Sequence, residues 1–348
     1  MNRALLYKIA AGAAGLLVLI VLIFWLRISS FAGEAMVVPA EGKTYTVSSG
    51  HGLIKVARSL QEQGVISDAG KFVWYARLTG GADDIKAGEY DLAAGMTPAD
   101  LFEQLLEGRV KQYPLTIIEG WNFKQLREAL EALPKVQHSL KGLSNQAVMA
   151  KLGFEGEHPE GRFLPDTYLF PAGSRDVDIL LRAHEAQQQV LAAEWAKRAP
   201  DLPYKTPYEA LIMASIVEKE TGVTTEREQI AGVFVRRLNK RMRLQTDPTV
   251  IYGMGDKYKG NIRRRDLKQD TPYNTYTRRG LPPTPIAMAG QPAIYAALHP
   301  DDGETLYFVA KGDGSHYFST TVAEHNRAVR KYQLRRTKNY RSAPKQGS

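Results

Sequence analysis

The stretch TPYEALIMASIVEKETG, Thr206 to Gly222, decides the fold. Thr206 and Glu209 have capping-box spacing. Pro207 suits the first helical position, where its missing N–H would be unpaired anyway. The body, Ala210 through Val217, is apolar on nearly every side. Such a helix is stable only when other elements cover it all round. The sequence therefore predicts a buried helix inside a compact domain, with Gly222 ending it. Glu218 lies four residues after Ala214 and seven after Leu211, on their face, at the last turn. Desolvation and the negative end of the helix dipole both disfavour a charge there. Both raise the carboxyl pKa from its usual value of about 4.3, the direction a general acid needs. Glu220 is roughly 200° further round and is expected to point away, supporting the site from behind. The competing reading leaves Glu218 in solvent beside Lys219 at a helix end.

Working outward toward the C-terminus, Thr225-Glu226-Arg227-Glu228 reads as a second capping box. It opens a helix with Ile230, Val233, Phe234 and Leu238 on one face. Two long Pro-containing loops follow, Leu244–Gly253 and Thr271–Pro283, rich in amides, hydroxyls and aromatics. Gln245, Asp247, Asn274, Thr275 and Tyr276 are the candidate binding residues. Rings of this kind stack on apolar sugar faces, while amides and hydroxyls pair with sugar hydroxyls. Ordinary turn chemistry would also account for any one of them.

Working outward toward the N-terminus, residues 113–150 read as a connector, with a strand at Leu115–Ile118 and helical Leu126, Leu130 and Leu133. Residues 44–112 read as a small α/β module. Tyr45 and Val47 alternate with polar residues as in a half-buried strand. Leu53, Val56, Ala57 and Leu60 have helical spacing, as do Phe72, Tyr75, Ala76 and Leu78. Gly88–Leu92 reads as a second strand, and Thr97-Pro98 opens another helix. The strand–helix–helix–strand order resembles a LysM-like carbohydrate-binding module, and a generic α/β packing domain fits as well. Residues 27–43 read as a spacer. Ile9 to Leu26 is an unbroken uncharged run that would span about 27 Å as a helix. Arg3 and Lys8 precede it, so residues 1–8 are expected in the cytoplasm and everything after the span outside it. Ser30-Phe31-Ala32 loosely fits a signal-peptide cleavage site, the competing reading.

The 348 residues contain no cysteine, which excludes disulfides, thiolate metal sites and a cysteine nucleophile. The net charge of +9 is concentrated at the end: from Arg327 on, eight residues are basic and none acidic. We read residues 341–348 as a solvated basic tail and expect no nucleic-acid partner, because no nucleic-acid-binding signature accompanies it. The seven histidines form no H-x-x-x-H or H-E-x-x-H pair, and neither a phosphate-cradling loop nor a G-x-S-x-G elbow occurs. Neither metal nor cofactor is expected.

Six stretches in order resemble the YceG-like family of endolytic murein transglycosylases. They are Glu160–Tyr168, Ile216–Thr221, Gln245–Gly253, Thr271–Tyr276, Gly280–Pro283, and Gly314–Ser319 with Glu324-His325-Asn326. One departure is Met288-Ala289-Gly290, where the family pattern has Asn-Pro-Gly. The resemblance implies an α+β protein: a transmembrane helix, a LysM-like module, and a mixed α+β catalytic domain over residues 151–340. It implies that Glu218 is the catalytic glutamate. Glu218 would protonate the oxygen leaving C1 of N-acetylmuramic acid and then take the proton of that sugar's C6 hydroxyl, leaving a 1,6-anhydro end. It further implies peptidoglycan strands as substrate, a bacterial plasma-membrane location and peptidoglycan synthases as partners. The rivals are a lysozyme-like hydrolase, with Asp247 or Asp270 as second carboxylate, and a non-catalytic peptidoglycan-binding scaffold.

Overall fold

The computed structural model describes residues 3–333, so the basic tail lies outside the described residues. It is a mixed α+β structure that divides into two compact units. The smaller unit holds the chain up to Tyr113 together with Phe170–Gly173. The larger holds Pro114–Leu169 and the chain from Ser174 on.

In the smaller unit, helix α1 (Arg3–Ala32) precedes strand β1 (Lys43–Val47), helices α2 (Leu53–Glu62) and α3 (Ala69–Thr79), strand β2 (Gly88–Leu92) and helix α4 (Pro98–Glu107). β1 and β2 pair antiparallel, with Tyr45 opposite Tyr90. The strand–helix–helix–strand order is thus present. Alternation puts Tyr45, Val47, Tyr90 and Leu92 on the inner face. The helical positions Val56, Leu60, Phe72, Leu101, Phe102 and Leu105 close over them. Fully buried Phe72 alone stabilises by about 1.5–3 kcal/mol. Thr97 caps α4 in a complete capping box with Asp100, and Gly108 ends it left-handed. The expected spacer differs from expectation: α1 continues to Ala32, and Ile28, Phe31, Ala32 and Met36 are buried. These residues are apolar, so burial in the module replaces a solvated linker.

The larger unit follows with β3 (Gln112–Thr116), α5 (Phe123–Glu131), β4 (Val136–Gln137), α6 (Asn145–Lys151), β5 (Thr167–Pro171), β6 (Ser174–Arg175), α7 (Asp176–Ala196), α8 (Pro207–Glu220), α9 (Arg227–Asn239), α10 (Asp247–Met254), α11 (Arg264–Lys268), α12 (Gln291–Leu298), β7 (Tyr307–Ala310), β8 (His316–Ser319) and α13 (Val322–Tyr332). The unit boundary cuts through β3 and β5. Residues 113–150, read from sequence as a connector, belong to this unit except Tyr113, which falls in the smaller one.

Its core is organised around α8, against which α12, α9, α7 and α10 all pack. Every residue from Ala210 to Val217 is buried, as a nearly all-apolar helix requires, and the one hydroxyl, Ser215, is hydrogen-bonded. Thr206 caps it through Glu209 N–H, but the Glu209 carboxylate reaches Lys205 N–H instead, so the box is half made. The helix ends at Thr221 in extended backbone, not at a left-handed Gly222. The second expected capping box is replaced by a 3-10 turn, Thr224–Glu226, whose Glu226 carboxylate accepts from His316 N–H and contacts His316 Nδ1. The loop expected at Leu244–Gly253 contains α10, with Pro248 in its first turn.

Candidate functional site

The end of α8 sends its two glutamates into different surroundings. The Glu218 side chain is 5% exposed. One carboxylate oxygen accepts from Arg227 Nη2 at 3.2 Å and the other from Gly290 N–H at 3.1 Å. Arg227 also reaches Glu119 at 3.4 Å. Burial pushes the Glu218 pKa up, and Arg227 opposes it. The segment supplying Gly290 is strapped down on both sides. Met288 exchanges backbone hydrogen bonds with Gly120 and Trp121, and Ile286 N–H donates to Ser215 Oγ on α8. A Cβ at Gly290 would stand 2.0 Å from Glu119 Oε1, so a larger residue there requires the Glu119 side chain to move away. Met288 and Ala289, where the sequence departs from the family pattern, are fully buried in this strap.

Glu220, expected to point away, is instead the glutamate that lines a groove of about 860 Å³. Lys219, Arg237, Gln245, Asp247, Tyr276, Tyr307 and His325 are among the residues that share it. Glu218 does not line it. Two helical residues apart, the side chains of Glu218 and Glu220 leave α8 roughly 200° apart, and which of these sides faces open space is a tertiary matter. Burial pushes the Glu220 carboxyl up to about 7, with the Asp247 charge adding to the rise; the hydrogen bond from Thr246 Oγ1 and the charge of Arg237 work against it. Arg237 is itself committed elsewhere. Its guanidinium donates to Leu306 O at 2.7 Å and Leu244 O at 2.7 Å, and lies 5.0 Å over the Tyr307 ring.

Of the five expected binding residues, the structure brings three to the groove. Gln245 holds φ +55°, a left-handed conformation disfavoured for a side chain of its kind, and its N–H donates to Thr275 O. Asp247 accepts from Tyr276 Oη at 2.6 Å. Asn274 and Thr275 are buried and do not line the groove, although Asn274 lines a cavity beside it. Asn274 Nδ2 donates to the carbonyls of Asp266, Leu267 and Gln269, and its Oδ1 accepts from Tyr276 N–H. Thr275 Oγ1 accepts from Thr246 N–H and shares a hydrogen bond of 2.9 Å with Thr249. Thr246, Thr249 and Thr275 thus lock the two loops together directly under Glu220. Asp270 is ion-paired with exposed Arg278, which holds its pKa down to about 2, and it does not line the groove.

Sequence reasoning missed Thr246 and Arg237, and gave Glu160 no role although it lies in a family-like stretch. Glu160 is buried, accepts from Phe123 N–H and Tyr252 Oη, and burial pushes it up to about 7. His316 is pinned by Glu226, donor and acceptor 2.8 Å apart, while His325 stacks on Tyr307. Burial lowers the His325 pKa and so favours its neutral ring. Among the described residues no cluster of three His, Asp or Glu is placed to hold a metal ion.

The model of the YceG-like family matches residues 45–331. The chain is 33% identical over 329 residues to an endolytic murein transglycosylase of Bacillus subtilis (strain 168), covering 86% of this chain and 89% of that protein. It is 29% identical to an endolytic murein transglycosylase of Streptococcus pneumoniae (serotype 2, strain D39), covering 84% of this chain but only 59% of the streptococcal protein. A solved crystal structure of a yceG-like protein from Listeria monocytogenes shares 31% identity and superposes with a TM-score of 0.55, covering 83% of this chain and 99% of that one. With the family model matched over residues 45–331 and a relative 33% identical over most of both chains, this chain belongs to the YceG-like family.

Proposed function

We propose that this chain is a lytic transglycosylase that cuts peptidoglycan strands at N-acetylmuramic acid, with Glu220 as its acid/base. The observation that carries the reading is the placement of Glu220: a half-buried carboxyl at the wall of a polar groove, with its pKa pushed up to about 7. An acid with that pKa holds a proton near neutrality and can give it up, which is what cleavage of a glycosidic bond requires. Glu220 protonates the leaving oxygen as the C1–O bond breaks. The C6 hydroxyl of the same sugar closes on C1 and returns its proton to Glu220. The bond count balances without water, so no second carboxylate has to activate one. Gln245 and Tyr276 are suited to orienting the strand. A neighbouring cavity that shares Asn261 with the groove is lined by Lys257, Lys259, Arg263 and Arg265, fitting carboxylates on a strand's peptide branches.

Glu218, the glutamate matched by motif, is the second reading, favoured by its own raised pKa. Its contacts with Arg227 and Gly290 N–H both stabilise the ionised form, which argues for a supporting role. The two are separated by assaying the full chain in detergent on isolated glycan. Glu220→Gln should abolish cleavage, and Glu218→Gln should retain a measurable fraction. The opposite ranking would move the acid/base to Glu218. Product ends one water lighter than reducing ends mark the transglycosylase; reducing ends would favour the hydrolase rival. No cleavage by the wild-type protein would favour the scaffold.

The helix α1 supports a single-pass anchor in the bacterial inner membrane with the rest of the chain outside the cytoplasm. The paired β1 and β2 with α2 and α3 between them support a LysM-like module. A tethered enzyme would meet newly made strands at high effective concentration, and so would work beside peptidoglycan synthases.

A further inference from the structure

We propose that the C-terminal half of α3 lies in the headgroup layer of the membrane that α1 crosses, with Trp74 and Leu78 as its lipid-facing residues. The inference rests on the anchor reading and adds a second, peripheral contact to it.

The geometry comes from two pairs of contacts within the smaller unit. Lys71 Nζ lies 5.9 Å from the centre of the Phe31 ring, at the buried end of α1. Three residues further along α3, the Trp74 ring meets the Phe24 ring edge-on with centroids 5.5 Å apart. Phe31 to Phe24 is seven residues, about 10 Å back along α1. Advancing along α3 therefore means descending α1 toward its apolar run. Phe24 belongs to that run, Ile9–Leu26, two residues before its end. A side chain that touches Phe24 sits at the edge of the hydrocarbon. Leu78 is one turn beyond Trp74 on the same face, about 6 Å further in the same direction.

The residues at these depths match what a membrane interface selects. Trp74 and Leu78 are 47% and 56% exposed, large apolar side chains that the protein itself leaves uncovered. Tryptophan is the residue type of the aromatic belt, because its ring is apolar and its N–H finds partners among headgroups. Arg77 places its guanidinium 5.9 Å from the Trp74 ring, and Arg27 directly follows the apolar run. Both can reach up to lipid phosphates. The occupant of this face is thus the outer headgroup layer, ahead of another protein surface, because the patch continues a lipid-exposed helix.

The absence of native cysteine makes the test clean. Full-length Leu78→Cys, Leu19→Cys and Val322→Cys proteins would each carry one nitroxide label in vesicles of phosphatidylethanolamine and phosphatidylglycerol. Collisions with oxygen report hydrocarbon, and collisions with a water-soluble nickel chelate report water. The expected oxygen-to-nickel ratio at Leu78 is roughly tenfold above that at Val322 and below that at Leu19, since the polar chelate is excluded from apolar surroundings. A Leu78 ratio equal to that of Val322, with Leu19 still lipid-like, would overturn the docking and leave the anchor standing. A water-like Leu19 would remove the anchor and the docking together. A second measurement follows Trp74 as sole tryptophan (Trp25→Phe, Trp121→Phe, Trp195→Phe). Its emission should be blue-shifted and quenched by lipids brominated near the headgroup. Emission typical of water, without quenching, counts against the proposal.

Discussion

Arg227 and Glu218 form an ion pair at 3.2 Å with side chains only 9% and 5% exposed. A buried pair adds little net stability compared with apolar packing, but breaking it strands a charge. Arg227→Met should therefore destabilise the larger unit by roughly 3–5 kcal/mol, read from denaturant unfolding. The double variant Arg227→Met, Glu218→Gln should recover most of the loss. A double variant no better than Arg227→Met would show that the cost is one of packing.

Glu220 and Glu160 both carry pKa values pushed up to about 7 by burial. A carboxyl raised from 4.5 contributes stability that is complete below pH 4.5 and lost as pH rises through 7. Stability of the wild-type protein should accordingly fall between these limits. Glu220→Gln should flatten part of that slope, and adding Glu160→Gln should flatten it further. Cleavage should fall above pH 7 as Glu220 loses its proton. An activity limb that stays in place when Asp247→Asn removes the neighbouring charge would contradict the electrostatic contribution of Asp247.

Gln245 is held left-handed at φ +55°, where glycine is at ease. Gln245→Gly should leave stability unchanged or raise it by about 1 kcal/mol, while turnover drops on the order of ten- to a hundredfold through lost positioning. Equal loss of stability and turnover would place Gln245 with the structural residues.

Asn274 behaves in the opposite sense. Its amide donates to three carbonyls and closes the turn at Tyr276. Asn274→Ala should cost about 1–3 kcal/mol and lower turnover in parallel, because the buried acceptors lose their donor. A folded variant of unchanged stability with lost turnover would show direct contact with the strand.

Asp247 is the acidic groove residue nearest in role to a second carboxylate. Asp247→Asn should slow cleavage yet leave the product ends one water lighter. Reducing ends from the wild-type protein that disappear in Asp247→Asn would establish the hydrolytic alternative.

What the sequence determined by itself was local. The nearly all-apolar body of α8, the Thr206 and Thr97 caps, the β1 and β2 alternation and the long apolar run all follow from side-chain period and backbone chemistry, and all are present. The sequence also placed Glu218 and Glu220 on different sides of one helix. Which side opens onto a groove depended on what packs against α8 from distant parts of the chain. The strap 286–290 and Arg227 close over Glu218, whereas Thr246, Asp247 and Tyr276 leave a polar space beside Glu220. At Thr225–Glu228 the chain likewise departs from the local signal: it makes a 3-10 turn over Thr224–Glu226, with Glu226 bonded to His316, 90 residues away. Helical period fixes relative direction, but burial and charge pairing depend on the assembled neighbours, and these set the surroundings of each carboxylate.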